Sequence, residues 1–405
     1  MSRRLWPLLF GTALLSASAR ADETQTLPRG VFLLDVQYAQ STLDKQWDGE
    51  GHAQPLIADV VRYEPGGGLQ GILTAHPVVR FDWLITQLLY GVTDELTVGA
   101  LLPVSLRTRI DTNLGWTPGE YQPQLGRPYS QEDFWQWAES MGQPRPAAVW
   151  EGNRGAPADL VLLARWRFQP PAFLERIGVT PAATLMLALP TGRNADPEEL
   201  VAAGTNGWEI HSYGDAEAHL SAKKALFTDT GGLERATLSA DVFFAWLRPR
   251  TFETPTGARN PLLLTYQPYV GDTYVIDGGD WLGGTLTIDL ALLAGPTHAT
   301  RVSNGDLAQA QKLPALISLN ASYTYVATGQ TWWRSDSALW DYDREEAWQP
   351  GEKHIFRING FVSFMRLGVP LQLYATYRTQ ELIPGRFTRP SSVLGGGARV
   401  LARFW

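Results

Sequence analysis

Apolar and polar residues alternate with a period of two over long stretches of this chain. Between Leu96 and Leu106, the residues Leu96, Val98, Ala100, Leu102, Val104 and Leu106 share one face. Thr97, Gly99, Leu101, Pro103, Ser105 and Arg107 share the other. The stretch from Ala236 to Trp246 repeats the pattern, with Leu238, Ala240, Val242, Phe244 and Trp246 against Thr237, Ser239 and Asp241. From Thr285 to Leu292, Leu286, Ile288, Leu290 and Leu292 oppose Thr285, Thr287 and Asp289. From Leu316 to Val326, Ile317, Leu319, Ala321, Tyr323 and Tyr325 oppose Ser318, Asn320, Ser322 and Thr324. Successive side chains of a strand point to opposite sides, so this spacing predicts strands with one apolar and one mixed face.

Twelve such segments can be placed, at approximately 31–40, 79–90, 95–108, 158–168, 179–190, 214–226, 235–249, 282–293, 314–327, 354–367, 369–380 and 393–405. Each is close to the roughly ten residues a tilted strand needs to cross a bilayer. The connections alternate in length. Gly91-Val92-Thr93-Asp94, Phe227 to Glu234 and the turn at Gly368 are short, whereas 41–78, 109–157, 191–213, 250–281 and 328–353 are long. Short turns at one end and long loops at the other describe a transmembrane barrel. The 294–313 connection departs from this rule, because its parity asks for a short periplasmic turn. The fold class is therefore all-β: an antiparallel transmembrane β-barrel of about twelve strands with long extracellular loops.

The aromatic residues Tyr38, Trp83, Tyr90, Trp166, Trp246, Tyr323, Tyr325 and Phe404 fall near strand ends, where rings suit the headgroup level. The chain closes on an alternating strand ending in Phe404 and Trp405. Barrel proteins in general carry such a terminal aromatic for the barrel-assembly machinery, which makes that machinery an expected partner alongside outer-membrane lipid. Arg403 stands where that signal usually has an apolar residue.

The N-terminus differs from the rest. Arg3 and Arg4 precede an apolar run from Leu5 to Leu15, and Ala19-Arg20-Ala21 supplies a small-x-small cleavage pattern. Residues 1–21 thus read as a secretory signal peptide and 22–405 as the outer-membrane barrel, in the outer membrane of a Gram-negative cell. The run is too short for a comfortable membrane span. With Arg3, Arg4 and Arg20 removed, the formal charge goes from −7 to −10. That balance argues against a nucleic-acid partner. The chain has no Cys, so its stability comes from something other than disulfides.

If the apolar faces meet lipid, the opposite faces line the lumen. The charged lining then comprises Asp35, Arg80, Asp82, Arg107, Asp159, Arg165, Arg167, Asp215, Glu217, His219, Lys223, Asp241, Asp289, Arg357, Arg378 and Arg399. Charges half-removed from water need partners, so both signs together point first to a cross-lumen ion-pair network. The alternative is that part of the lining selects a permeant.

Three local patterns point elsewhere. His219-Leu220-Ser221 puts an imidazole and a hydroxyl on one strand face, as in outer-membrane phospholipases where the His activates the Ser. No third group to orient the His is evident in the hairpin, so a hydrolase is the weakest reading and no catalytic residues are assigned. Asp44, Asp48 and Glu50 form an acidic loop whose spacing does not match a Ca²⁺ loop, so no metal or cofactor is expected. Ser130, Glu132 and Asp133 followed by Phe134, Trp137, Ala138 and Met141 predict a short capped helix, stopped by Gly142 and Pro144. It is either a surface helix packed on other loops or a lid over the mouth.

Some segments carry a resemblance. Leu89-Tyr90-Gly91-Val92-Thr93-Asp94-Glu95-Leu96-Thr97-Val98-Gly99, running on to Leu102-Pro103, resembles a hairpin of many outer-membrane channels. Leu187-Ala188-Leu189-Pro190-Thr191-Gly192 and the loop Gly204-Thr205-Asn206-Gly207-Trp208-Glu209 follow in the same order. Together, over about the central half of the chain, they are similar to the family described as "MetA-pathway of phenol degradation" transporter-like outer-membrane proteins. The resemblance implies a barrel that passes small, often aromatic or hydrophobic, compounds. It transfers no ligand residues, because the matching positions build turns and strand ends.

The expectation is a monomeric outer-membrane channel or uptake porin for small molecules. The competing reading is a closed barrel that binds through its loops, using Trp116, Tyr121, Tyr129, Trp135 and Trp150 in the second long loop and Trp332, Trp333, Trp340 and Trp348 in the fifth.

Overall fold

The computed structural model describes residues 25–403, apart from 58, 65–66, 141–144, 146, 193–214, 230–232, 254–271, 296–312 and 336–349. The signal segment, the Gly204–Glu209 loop, the anomalous 296–312 stretch, Met141, Gly142, Pro144, Trp340, Trp348 and the terminal Phe404 and Trp405 lie outside the described residues.

Every segment marked by alternation overlaps one strand. The strands are β1 (Val31–Leu43), β2 (Val78–Gly91), β3 (Leu96–Asp111), β4 (Leu160–Arg167), β5 (Val179–Leu189) and β6 (Ala216–Thr228). β7 (Glu234–Trp246), β8 (Trp281–Leu293), β9 (Ile317–Thr328), β10 (Gly351–Ser363), β11 (Leu371–Thr379) and β12 (Ser392–Arg403) complete the set. Each pairs antiparallel with the next, and β1 also pairs with β12 from Val31↔Arg403 to Thr42↔Ser392. The twelve strands thus form a closed antiparallel barrel. Closure leaves no sheet edge with unpaired backbone groups, which a bilayer would not tolerate.

The two faces separate cleanly. Leu34, Val36, Leu88, Leu102, Leu162, Leu185, Leu220, Val242, Phe244, Leu286, Ile358 and Leu394 are all exposed, and all point outward. So continuous an apolar band in water would drive aggregation; around a closed barrel it is the lipid-facing belt. Trp166, tilted against Phe168 with ring centroids 4.8 Å apart, and Phe32 near Tyr90 at 4.4 Å mark the periplasmic rim. Between β4 and β5 lies the short helix Ala172–Arg176, whose Phe173 is exposed at the same level.

The turn Gly91–Asp94 has a use that its sequence hides. The chain entering β1 runs across this turn. Leu27 N–H donates to Thr97 Oγ1 at 2.8 Å and Arg29 N–H to Asp94 Oδ1 at 2.9 Å. A side chain at Gly91 would collide with the carbonyls of Leu27 and Pro28, so only glycine admits this crossing.

The external loops build outward and inward. Strands at Val60–Tyr63, Leu69–Ala75 and Leu114–Pro118 form a small sheet. The helix α1 (Gln131–Ser140) packs on it. Ser130 Oγ accepts from Asp133 N–H at 3.2 Å, and Asp133 Oδ2 accepts from Ser130 N–H at 2.7 Å, a reciprocal cap. Phe134, Trp135 and Ala138 are buried with Leu73, and Trp116 and Tyr129 pack against them. This is the packed surface helix, and its aromatics are a small core. Of the five second-loop aromatics proposed for binding, Trp116, Tyr129 and Trp135 are spent here, Trp150 packs on the barrel's own apolar cluster, and only Tyr121 is widely exposed. In the fifth loop, Trp332 lies in the strand Trp332–Ser335 and is exposed.

Candidate functional site

The lumen is the candidate site. Toward the external end of β1 to β5, the apolar inward residues Phe81, Trp83, Ile85, Leu101, Val161 and Met186 are buried in one cluster, while Asp35, Gln37, Gln87, Thr97, Arg165 and Thr184 are polar and buried on the same strands. Leu56 of the first external loop and Ala156 and Ala158 of the second join that cluster. The mouth on this side is therefore packed like a protein core.

On the other side a cavity remains. It is lined by β6 to β11, including Phe243, Trp281, Val326, Ile355, Lys353 and Arg378, and by Val161, Met186 and Ala188 of β4 and β5. It holds about 730 Å³ of space free of atoms, counting the part continuous with solvent. Gly283 is what lets the Phe243 ring lie against β8, since a Cβ there would overlap the ring.

Below the cavity the lining becomes a polar belt. His219 Nδ1 lies 2.9 Å from Asp241 Oδ2, and its Nε2 lies 2.8 Å from Glu217 Oε1. Ser221 Oγ donates to Asp241 Oδ1 at 2.7 Å. Asp289 accepts from Asn320 Nδ2 at 2.7 Å, and Asn320 Oδ1 accepts from Asn359 Nδ2 at 2.8 Å. Arg399 Nε donates to Asp35 Oδ2 at 2.7 Å, and Tyr374 Oη donates to Asp35 Oδ1 at 2.7 Å. Tyr374 reaches Asp35 across β12, over Gly397, where a side chain would strike its ring.

The remaining predicted lining residues take lesser positions. Arg165 is inward and donates to Thr184 Oγ1 at 3.1 Å and to the Gln25 carbonyl at 3.3 Å. Arg167 Nη2 donates to the Asp94 carbonyl at the periplasmic rim, at 3.0 Å. Lys223 lies 3.3 Å from Glu234 at the same end. Asp159 and Asp215 sit at the external rim, where they accept from the backbone N–H groups of Gly192 and Arg248 at 2.8 and 3.0 Å. Arg357 and Arg378 line the cavity.

Three of the charged residues expected in the lumen are on the outer face. In β2 the lipid-facing parity of Leu84 and Leu88 continues through Asp82 and Arg80. These positions lie toward the external end, where β2 and β3 rise past the apolar belt. In β3 a bulge opposite Asp82 and Trp83 inserts a residue, so Ser105 faces inward but Arg107 faces outward. Outside, Arg107 donates to Asp82 Oδ2 through Nε at 3.0 Å and Nη2 at 2.8 Å. Tyr38 Oη and Gln40 Nε2 both donate to Asp82 Oδ1 at 2.9 Å, and Arg80 Nη1 donates to Asp111 at 3.0 Å.

The His219 and Ser221 pair does have a carboxylate in its hairpin: Asp241, which the register sets directly opposite Ser221. The geometry is not that of a nucleophile and its base, however. The hydroxyl proton of Ser221 points to Asp241, and the two imidazole nitrogens face Asp241 and Glu217. A base must reach the proton it removes. In the first loop, Asp48 Oδ1 caps its own turn by accepting from Glu50 and His52 N–H at 2.9 and 2.8 Å. The His52 contact holds its carboxyl below the usual range.

Alternation also passes over residues that shape the site. Lys353 shares the parity of Arg357, but β10 begins at Gly351, before the segment that the apolar pattern marks. Phe243, Trp281 and Tyr374 are inward aromatics, which a search for charge does not pick out.

No protein-family model matches the chain, and no curated protein sequence does. Solved structures do resemble it. The COG4313 outer membrane channel from Pseudomonas putida F1 is 13% identical, with a TM-score of 0.54 over 94% of this chain and 98% of that one. The translocator domain of autotransporter NalP from Neisseria meningitidis is 11% identical, with a TM-score of 0.41 over 96% and 95% of the two chains. The CymD monoaromatic hydrocarbon channel is 10% identical, with a TM-score of 0.33 over 93% and 89%. The likeness to the Pseudomonas putida channel is one of fold, and it agrees with the closed strand order and apolar belt: this chain is a transmembrane β-barrel of the outer-membrane type.

Proposed function

We propose that this protein is an outer-membrane uptake channel for small apolar or aromatic molecules, working as a monomer and without enzymatic chemistry. The observation that carries the proposal is the cavity in the external half of the lumen, walled by Phe243, Trp281, Val326 and Ile355. A pore for hydrated solutes presents a polar, water-filled interior. Apolar walls inside a barrel instead resemble a small-molecule site, where most of the lining is hydrophobic and a few polar groups orient the ligand. The Pseudomonas putida protein that shares the fold is named as a channel, which supports the same reading. The sequence resemblance to transporter-like proteins does so too.

The test is uptake by intact cells, because lipopolysaccharide is the barrier such a channel would bypass. A porin-deficient Gram-negative host expressing the folded barrel should take up radiolabelled benzyl alcohol several-fold faster than the host alone. Equal uptake, with the barrel shown to be folded in the outer membrane, would sink the proposal.

A further inference from the structure

We propose that Lys353 selects what the cavity admits, by donating to an oxygen acceptor at one end of an aromatic molecule; this rests on the channel reading above and names its ligand class. Lys353 stands on the inward face of β10, in line with Ile355, and lines the cavity. Its direct neighbour across the ladder is Val326 of β9. Trp281 stands one strand further, on β8, so the lysine stem reaches over Val326 to bring Nζ 4.0 Å from the Trp281 ring centre. Phe243, Val326 and Ile355 are buried together at this place, with Trp281 packed against them. The ammonium is thus held in an apolar part of the cavity.

The other charged groups of the lining are held by the barrel itself. Arg378 Nη2 donates to Ser391 Oγ at 3.1 Å, Glu217 contacts His219 at 2.8 Å and Asp215 faces Arg250 at 3.6 Å. Arg357 is likewise engaged within the protein. Lys353 differs: among the described residues it forms no ion pair, and its partner is the ring face of Trp281. An ammonium has three N–H donors and no acceptor, and an aromatic face attracts the charge without satisfying all three. Donors are therefore left for whatever fills the cavity. Water can serve them, and a solute that displaces that water keeps them satisfied only if it brings an acceptor of its own.

That requirement defines the ligand. A plain hydrocarbon would fill the space beside Phe243, Trp281 and Ile355 but strand the ammonium donors. An aromatic ketone, aldehyde, alcohol or phenol of the same size fills the same space and supplies the oxygen. The apolar walls take the body and Lys353 takes the polar end, the usual division of labour in a small-molecule site.

Acetophenone and α-methylstyrene have one shape and differ in a carbonyl oxygen against a methylene carbon. Their binding to the detergent-purified full barrel is read by titration calorimetry, for the unaltered protein and for Lys353→Met, which keeps most of the stem and removes the ammonium. Both proteins meet the same micelles, so partition into detergent cancels when the two are compared. Lys353→Met should weaken acetophenone at least about fivefold and leave α-methylstyrene unchanged or tighter. Lys353→Gln, which keeps a donor without the charge, should lose less. The carbonyl stretch of acetophenone bound to the unaltered protein should lie below its position in hydrocarbon solvent, as that of a hydrogen-bonded carbonyl does, and should return toward that position in Lys353→Met. An unshifted stretch in the unaltered protein would overturn the proposal, independently of how any variant folds. So would a ratio of acetophenone to α-methylstyrene affinity that is the same in the unaltered protein and in a folded Lys353→Met barrel. If both ligands bind with that ratio unchanged, the channel reading stands without this refinement; if neither binds, the channel reading falls with it.

Discussion

The walls on the two sides of the lumen face the same interior but are finished differently. In the external part of β1 to β5 the apolar inward side chains are buried against each other and against Leu56, Ala156 and Ala158 from the loops. From β6 to β11 the external half keeps a cavity, and below it the lining is hydrogen-bonded polar groups. A barrel of this strand number has an interior only a little wider than its side chains can fill. Packing one side as a core confines the cavity to the other. The first wall thus supplies rigidity in place of disulfides, and the second holds the open space on which the proposed uptake depends.

The sharpest way to break that contrast is to hollow out the packed wall. Trp83 is buried on the inward face of β2, opposite Ala39. Trp83→Ala should destabilise the barrel by about 3–5 kcal/mol, the usual cost of a large-to-small change in a packed core. Equilibrium unfolding of the refolded barrel in lipid vesicles measures this. A change below about 0.5 kcal/mol, the range of ordinary surface substitutions, would show that this wall is not core-like.

The polar belt gives a second, smaller effect. Asp241 joins His219 and Ser221 at the centre of the other wall and is itself buried. Asp241→Asn keeps the shape but exchanges one acceptor oxygen for an NH2 donor and removes the charge, so one of its two partners loses the acceptor that faces it. The expected cost is about 1–3 kcal/mol, that of a buried polar group left without its partner. Ser221→Ala removes only a hydroxyl and should cost less. An Asp241→Asn barrel as stable as the original would mean that the belt does not brace the cylinder.

The fold was legible because lipid enforces strict alternation. Leu238, Ala240, Val242, Phe244 and Trp246 have no choice of face, and neither do their counterparts on the other strands. The lumen was less legible because its residues answer to partners that are distant in sequence. Asp241 lies twenty residues from Ser221, and only the register of β6 and β7 shows that they face each other. Arg107 is moved outside by a single bulge, which has no signature in the local pattern. Arg80 and Asp82 read as interior on the assumption that a charge avoids the lipid face, yet that face continues beyond the belt. The second-loop aromatics read as a binding surface because nothing local shows that Phe134 and Trp135 have a sheet to pack on.

That loop module offers the last and smallest test, because it sits outside the barrel and should come apart without it. The reciprocal cap between Ser130 and Asp133 holds the first turn of α1, and Arg127 adds a paired contact to Asp133, with Nη2 to Oδ1 at 2.8 Å. Ser130→Ala should cost about 1 kcal/mol, the ordinary worth of an N-cap. The loss should be confined to the module: hydrogen exchange should rise across α1 and stay unchanged in β1 to β12. Acid should act on the same place. The Arg127 contact, followed by the Ser130 hydroxyl and backbone donors, holds the Asp133 carboxyl far below its ordinary value. A carboxyl depressed on folding stabilises above its unfolded pKa of about 3.9, and that contribution fades as pH falls below it toward the folded value. Exchange in α1 should therefore be flat from neutral pH down to about 4, once corrected for intrinsic rates, and rise only below that. In Asp133→Asn the acid-dependent rise should be gone. If acid loosens β6 and β7 before α1, the belt around Asp241 is the weaker structure, and the division between a braced cylinder and a detachable loop module is wrong.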